Sequence, residues 1–300
     1  MNGQDIISLL TGAMPAFGSV IGAISGSIIT AVFMRSNTNV SEFEKIKAGQ
    51  FKEVLNDLLN KGQLTYTELY KANNFLNIAK KADSLYKPTE EIVDSKKYDF
   101  DWFIRFFEAA GNISDEEIQN FWAQLLAGEV GNPGKYSLRI IDILRNLRKK
   151  DAELFVEVCK HIIHLDDNEF LPNYEEYMEH HEIIFSDIMR LSELGLIFEN
   201  GMLVLQKEIT NNDPFQAVSG EYVLNVSNPS EVKKHFMINQ FPLTIAGKEL
   251  SELINCKSED SDFFEFSRMI KSRYPDLNTE VFKVIYRSED VVKFDTNDLL

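Results

Sequence analysis

Residues 6–34 read IISLLTGAMPAFGSVIGAISGSIITAVFM and contain no charged residue and no histidine. Pro15 fits the first turn of a helix, where its missing N–H costs little, and Arg35 ends the apolar run. Residues 15–34 number 20. At the α-helical rise they span roughly the 30 Å of a bilayer core. The stretch therefore predicts a transmembrane or membrane-inserting helix within residues 1–35.

Small residues line one face of this helix. Gly18, Gly22 and Gly26 recur at every fourth position, and a second stripe of small residues lies beside them, formed by Ser19, Ala23 and Ser27. Glycine gains nothing from contact with lipid, so a small face predicts close contact with another helix. We interpret the pattern as a glycine zipper that joins copies of the chain in a homo-oligomer.

Three other interpretations of residues 1–35 stay open. The stretch could be a Gly/Ala-rich helix packed in the core of a soluble protein, or a hydrophobic hairpin that breaks at Pro15. A secretory signal peptide would need basic residues before the apolar core, and residues 1–5 contain none. If the helix spans a membrane, Arg35, Lys45 and Lys47 favour a cytoplasmic location for the rest of the chain.

Composition limits the classes of partner. The 300 residues carry a formal charge of −16, which disfavours nucleic acid because phosphate binding needs a basic surface. Cys159 and Cys256 are far apart in sequence and lack C-x-x-C spacing. They indicate neither a disulfide framework nor a zinc site, and they suit a reducing cytosol.

Apolar spacing and turn residues predict the domain organisation. Helices near residues 41–60 and 65–86 form a helical pair or stalk within residues 36–87, and polar residues 87–98 form a linker. Residues 99–181 then read as a central helical domain, with helices 99–110, 114–129, 137–148 and 151–164. Ser114 with Glu117 matches a capping box. The predicted fold class is mainly α, with an α+β part at the C-terminal end.

A dense motif lies in this central domain. It reads W-A-x-L-L-A-G-E from Trp122 to Glu129, followed by Pro133-Gly134, S-x-R ending at Arg139, and D-A-x-L-F over residues 151–155. This pattern resembles the core signature of an uncharacterised bacterial family known only as a domain of unknown function. It is more loosely similar to the alpha-type abortive infection proteins of phage defence. The resemblance covers residues 99–165, and it implies a bacterial source and a role in defence.

The residues of the motif themselves favour a structural role. Trp122 and the following leucines make a buried helix face, and Glu129 could pair with Arg139 across the turn at Pro133 and Gly134. An active site at these residues is the alternative. Neither family supplies catalytic residues to place here.

The pattern changes from residue 182. An apolar helix over residues 183–194 precedes two apolar runs that flank Asn200-Gly201, which predicts a β-hairpin. Further predictions are strands at 221–226, 280–287 and 291–294, a helix capped by Thr244, and a helix over 262–273. A helix followed by L-G-L-I and a hairpin resembles the recognition helix and wing of winged-helix domains. Residues 182–300 are therefore predicted to be an α+β winged-helix-like domain, and the acids around Arg190 favour a protein partner over DNA.

No enzyme motif or cofactor motif occurs in the chain. G-x-S-x-G, the phosphate-binding Walker loop, G-x-G-x-x-G and H-E-x-x-H are all absent from the sequence. Four of the five histidines fall within residues 161–181. A metal site would need two faces to converge, together with a carboxylate such as Asp166 or Glu182. The sequence alone therefore predicts no enzyme, no cofactor and no metal site.

Two functions are consistent with these patterns. The first is a bacterial anti-phage effector of the inner membrane that oligomerises through the glycine zipper, permeabilises the bilayer, and responds to a protein trigger through its cytoplasmic C-terminal domain. The alternative is a soluble, cytoplasmic protein-interaction or regulatory protein whose N-terminal helix mediates oligomerisation. The membrane part rests on residues 1–35, and the defence part rests only on the resemblance.

Overall fold

A computed structural model describes residues 65–85, 99–200, 203–256, 258–287 and 292–299 of the chain. The predicted membrane helix within residues 1–35, the first stalk helix and the linker at 87–98 lie outside the described residues. Two compact units divide the chain, Met1–Lys149 and Lys150–Leu300.

The described part of the first unit is helical. Its elements are α1 (Tyr66–Leu85), α2 (Phe100–Ala110), α3 (Glu116–Gly131) and α4 (Leu138–Asn146). Asp99 caps α2 and Asp115 caps α3, each through a side chain that accepts two backbone N–H hydrogen bonds. The predicted helices are confirmed here, but the cap of α3 is Asp115 and not Ser114.

Aromatic side chains form the core of this unit. Trp102 stacks on Phe106 with ring centroids 5.2 Å apart, and Phe106 in turn contacts Trp122 at 5.2 Å. Phe75 of α1 meets the edge of Phe107 at 4.6 Å, which fixes α1 against α2. The apolar faces of the helices, rather than helix propensity alone, therefore hold this unit together.

The second unit mixes helices and strands. Its helices are α5 (Lys149–Cys159), α6 (Glu175–His180), α7 (Phe185–Glu193), α8 (Ile245–Leu253) and α9 (Asp260–Arg273). Its strands are β1 (Ile163–Leu165), β2 (Asn168–Pro172), β3 (Val204–Ile209), β4 (Phe215–Ser219), β5 (Tyr222–Ser227), β6 (Lys234–Pro242), β7 (Asn278–Arg287) and β8 (Val292–Leu299). Helix α8 begins after Thr244, whose hydroxyl accepts a hydrogen bond from the N–H of Gly247, as predicted.

The strands form two four-stranded antiparallel sheets, in the orders β1-β2-β6-β3 and β4-β5-β7-β8. In the first sheet Leu171 pairs with Phe241 and Leu205 pairs with Ile238. The backbone of Gly247 passes so close to the carbonyl oxygen of Leu196 that a Cβ would collide with it. Glycine at position 247 therefore lets α8 begin directly beside the sheet.

The predicted hairpin around Asn200-Gly201 is wrong. Strand β3 pairs with β6 over its full length. On the other side of Asn200-Gly201, Ile197 makes an isolated bridge with Leu243. The Asn-Gly signal favoured local pairing, but β6, about 30 residues further along, supplies a longer partner for β3.

The predicted fold class, mainly α with a winged-helix-like end, is also wrong. Residues 160–172, predicted as the end of a helix and part of a helical domain, contain β1 and β2. The second unit is built on two antiparallel sheets, so the described chain is α+β, with helices alone in the first unit. The glycine-zipper helix included in that prediction falls outside the described residues.

The description of the chain as a membrane protein needs correction too. Among the described helices, none combines the length and the apolar character needed to cross a bilayer. The description of the chain as a membrane protein is therefore corrected for the described residues, which contain no membrane-spanning helix, while the helix predicted within residues 1–35 lies outside them.

Candidate functional site

Trp122 to Arg139 of the central motif lie in α3, in the turn that follows it and in the first turn of α4. Trp122 is completely buried, and Gly128 leaves room for the ring of Tyr136, which would collide with a Cβ at that position. Pro133 is buried and Gly134 has a φ of 80°, a value that glycine adopts without strain. The motif thus builds a tight turn between α3 and α4.

Glu129 is the charged residue at the centre of this turn, and it is 2% exposed. Its carboxylate accepts hydrogen bonds from the N–H groups of Gly134 at 2.6 Å and Tyr136 at 3.1 Å. Burial raises the pKa of Glu129, and these N–H groups act in the opposite direction. Arg139 is exposed, and backbone donors hold the carboxylate in place of the predicted ion pair. Glu129 therefore stabilises the turn between α3 and α4 through these hydrogen bonds.

The six residues predicted for oligomerisation cannot be placed. Gly18, Ser19, Gly22, Ala23, Gly26 and Ser27 all lie outside the described residues. Their role in self-association stays a prediction.

A cluster of ionisable side chains lies in the second unit, formed by His161, His181 and Asp262; we call it the histidine cluster. His161 follows the end of α5, His181 caps the C-terminal end of α6, and Asp262 lies in the first turn of α9. One donor atom from each side chain lies within 4.8 Å of the other two. Three elements that are distant in sequence therefore bring two imidazoles and one carboxylate together.

Specific contacts fix the geometry of the histidine cluster. The Nδ1 atom of His161 lies 2.8 Å from an Asp262 carboxylate oxygen, and the two imidazole rings stack with centroids 3.9 Å apart. The hydroxyl of Tyr177 donates a hydrogen bond to the carbonyl oxygen of His161 at 3.0 Å, and its ring contacts His181. The buried Tyr177 thus contacts both histidines, the backbone of His161 and the ring of His181.

The His181 side chain is 8% exposed, and its Nε2 atom is buried with no hydrogen-bond partner among the described residues. The carboxylate of Glu265 lies 3.5 Å from this nitrogen without hydrogen-bond geometry. An unsatisfied buried polar group costs about 1–3 kcal/mol. Burial lowers the pKa of His181, and the neighbouring His161 lowers it further, while Asp262 and Glu265 oppose this shift. The neutral imidazole is therefore the favoured form at neutral pH.

The sequence showed a concentration of histidines but predicted no metal site from them. It placed His161 and His164 on one helix, with Asp166 or Glu182 as the acid. The structure places His164 in β1, opposite Glu169, where burial lowers its pKa. The acid of the cluster is Asp262, which lies 101 residues beyond His161. Spacing along the sequence gave no signal for that pairing.

A second feature of this unit is an exposed apolar surface, formed by Ile184, Phe185 and Met189 at α7; we call it the α7 surface. Their exposures are 61%, 58% and 36%, respectively. On the opposite side of the helix, Ile188 and Leu191 are fully buried. Helix α7 thus has an apolar side turned to the core and a second apolar side turned to solvent.

A family model described as "Protein of unknown function (DUF2806)" matches residues 63–266. The chain belongs to the DUF2806 family. The predicted resemblance to an uncharacterised domain family is thereby confirmed, over a longer stretch than residues 99–165. The comparison with curated proteins found no match, and the comparison with solved structures also found none.

The DUF2806 match includes both features of the second unit described above. It begins just before α1 and ends within α9, so it contains the central motif, the α7 surface and all three residues of the histidine cluster. Strands β7 and β8 lie beyond it. The family description assigns no defence function, and the predicted antiviral role is withdrawn for lack of support.

Proposed function

We propose that the protein is an interaction or regulatory protein that binds a protein partner through the α7 surface. The observation that carries the proposal is the exposure of Ile184, Phe185 and Met189 within six consecutive residues. Single exposed apolar side chains are ordinary, but grouped ones favour an interaction site. Phe185 and Met189 are four positions apart on a helix, so their side chains are neighbours.

The charges around the α7 surface indicate the chemistry of the partner. Residues 175–199 contain seven acidic residues and a single lysine or arginine, Arg190. Arg190 forms an ion pair with the buried Asp151, so its charge is already compensated. An apolar surface within such an acidic segment favours a partner segment with apolar residues flanked by lysine or arginine. The acidic excess of the segment also argues against nucleic acid.

A matched pair of variants tests this proposal. The full-length chain is immobilised, proteins retained from a lysate of the source cells are identified, and the retained protein is purified and titrated by calorimetry. Truncation of a central apolar contact commonly costs about 2 kcal/mol, so Phe185→Ser with Met189→Ser should weaken binding by about 30-fold. Val232→Ser is the control, because Val232 is 72% exposed elsewhere in the same unit.

The comparison of the double variant with the control distinguishes specific binding through the α7 surface from nonspecific adsorption. We expect the control to bind like the wild type, and we expect the affinity to fall as salt concentration rises, because the acidic segment attracts a basic partner. The proposal is contradicted if no protein is retained, or if the double variant and the control lose binding equally.

The expectations about location, self-association, defence and enzymatic activity rest on other observations than the α7 surface. A cytoplasmic location is part of this proposal, since Cys159 and Cys256 both stand as free thiols and a reducing compartment preserves them. Self-association through Gly18, Gly22 and Gly26, and any contact of residues 1–35 with a bilayer, stay predictions outside the described residues. The similarity to abortive infection proteins adds nothing to the proposal, because the DUF2806 description does not mention defence. No catalytic motif was found in the sequence, so no enzymatic activity is proposed.

A further inference from the structure

We propose that His161, His181 and Asp262 bind a divalent transition-metal ion of the Zn²⁺ class. Their donor atoms lie within 4.8 Å of one another, so small side-chain movements bring all three to one ion. The inference uses residues outside the α7 surface and does not rest on the proposed function.

The donor set selects the class of metal. Imidazole nitrogens suit zinc, copper, iron and nickel, while magnesium and calcium prefer sites made only of oxygen. Two imidazoles with one carboxylate match the three-ligand sets of zinc sites that keep a fourth position open. The histidine cluster therefore fits a transition-metal ion better than a hard cation.

The unpartnered Nε2 atom of His181 is the observation that separates a metal site from a simple structural pair. A hydrogen bond between His161 and Asp262 would by itself explain why those two side chains meet. It does not explain a second imidazole, 92% buried and stacked on the first, whose Nε2 atom has no hydrogen-bond partner among the described residues and lies 3.5 Å from the Glu265 carboxylate. A metal ion would satisfy that nitrogen.

The neighbouring carboxylate of Glu265 is placed to complete the coordination. Two ligands at about 2.1 Å from a tetrahedral ion lie about 3.4 Å apart. The Nε2 atom of His181 and an oxygen of Glu265 are 3.5 Å apart, close to that separation. Glu265 is therefore the residue of α9 that can serve as a fourth ligand.

The surroundings support the ligand forms of these groups. Metal binding uses imidazole nitrogens and carboxylate oxygens, and the histidine cluster brings two imidazoles beside the carboxylate of Asp262. Asp262 and Glu265 bring two negative charges to a partly buried place. A divalent cation would balance both.

Titration of ZnCl₂ into the full-length chain, without a polyhistidine tag and after treatment with a chelator, tests the site by calorimetry. We expect one Zn²⁺ per chain at this site. His181→Gln and Asp262→Asn, which change size little, should each weaken binding by about 10- to 100-fold or more. His235→Gln is the matched control, since His235 is a histidine with a side chain 77% exposed in the same unit. It should leave binding unchanged.

A second measurement keeps the outcome clear if a variant folds poorly. Bound ligand raises the temperature of unfolding, so Zn²⁺ should raise it in the wild type and in His235→Gln, but not in a folded His181→Gln or Asp262→Asn. Co²⁺ bound to the wild type should show the visible absorption of a four-coordinate site. The proposal is overturned if the folded wild type binds no Zn²⁺ and no Co²⁺. It is equally overturned if both variants bind Zn²⁺ as the wild type does.

Discussion

Replacing Trp122 with alanine should destabilise the helical unit by about 3–5 kcal/mol, the range for large aromatic truncations in cores. The side chain is 0% exposed and packs against Phe106. An aromatic residue of this kind buries about 150–250 Å², which at about 25 cal/mol per Å² corresponds to about 4–6 kcal/mol as an upper estimate. An alanine side chain still buries a small part of that area, so the estimated loss of stability falls back to about 3–5 kcal/mol.

The indole nitrogen of Trp122 sharpens this prediction. It is buried with no hydrogen-bond partner among the described residues, so the substitution removes no hydrogen bond. Trp122→Phe should therefore cost less than about 1.5 kcal/mol, since it loses some area but also removes an unsatisfied donor. The contrast between the two variants isolates apolar packing from polar contacts.

Intrinsic fluorescence in a urea titration is the assay. Trp102 and Trp122 are the two tryptophans of the chain, and both lie in the helical unit, so fluorescence follows the unfolding of that unit. Each variant keeps Trp102 as its probe. The packing argument fails if Trp122→Ala costs less than about 1 kcal/mol, or if alanine and phenylalanine cost the same. Unchanged stability with lost partner binding would instead mark Trp122 as a functional residue.

Three further predictions concern the rest of the chain. Burial lowers the pKa of His164 below 6.5, so the unfolded state binds a proton at a higher pH than the folded state does. The free energy of unfolding should therefore fall as the pH drops below 6.5. His164→Gln should make that fall smaller in calorimetric scans. Gly247→Ala places a Cβ against the carbonyl oxygen of Leu196 and should lower the free energy of unfolding by about 1–3 kcal/mol or more. Gly131→Ala is the control, since its Cβ meets open space, and it should not destabilise the protein in the same thermal scans. The interaction between the Cys159 and Cys256 thiols raises the pKa of the former and lowers that of the latter, so a thiol oxidant such as diamide should join them. Mass spectrometry of unreduced peptides would show the linked pair or refute the contact.

Local patterns predicted the helices well. The helix after Thr244, the helix ending at Gly111 and the Phe-rich helix α9 all followed from caps and apolar spacing within a few residues of their structural bounds. These signals lie within the element itself. A helix makes its hydrogen bonds locally, so its sequence carries most of the information needed to place it.

The predicted strands at 221–226, 280–287 and 291–294 agree with β5, β7 and β8. The other strands, the order of the strands in the sheets and the histidine cluster could not be predicted in the same way. Strand β2 has only five residues, and it pairs on one side with β6, more than 60 residues away. A short strand of this kind is defined by its partner rather than by its own pattern. The pairing of His161 with Asp262 depends on the same long-range folding. The sequence therefore showed that histidines were concentrated, but it could not show which acid would meet them.

The separation between β2 and β6 also bears on how the chain is made. Phe170 and Leu171, fully buried in the finished sheet, have no strand partner on that side until residues 234–242 have been synthesised. At about 5–20 residues per second, the roughly 60 intervening residues take about 3–12 s to produce. During that interval β2 presents an open, apolar edge to solvent or to a chaperone. Slower translation lengthens this exposure, and an abortive product that ends before residue 234 would keep it permanently.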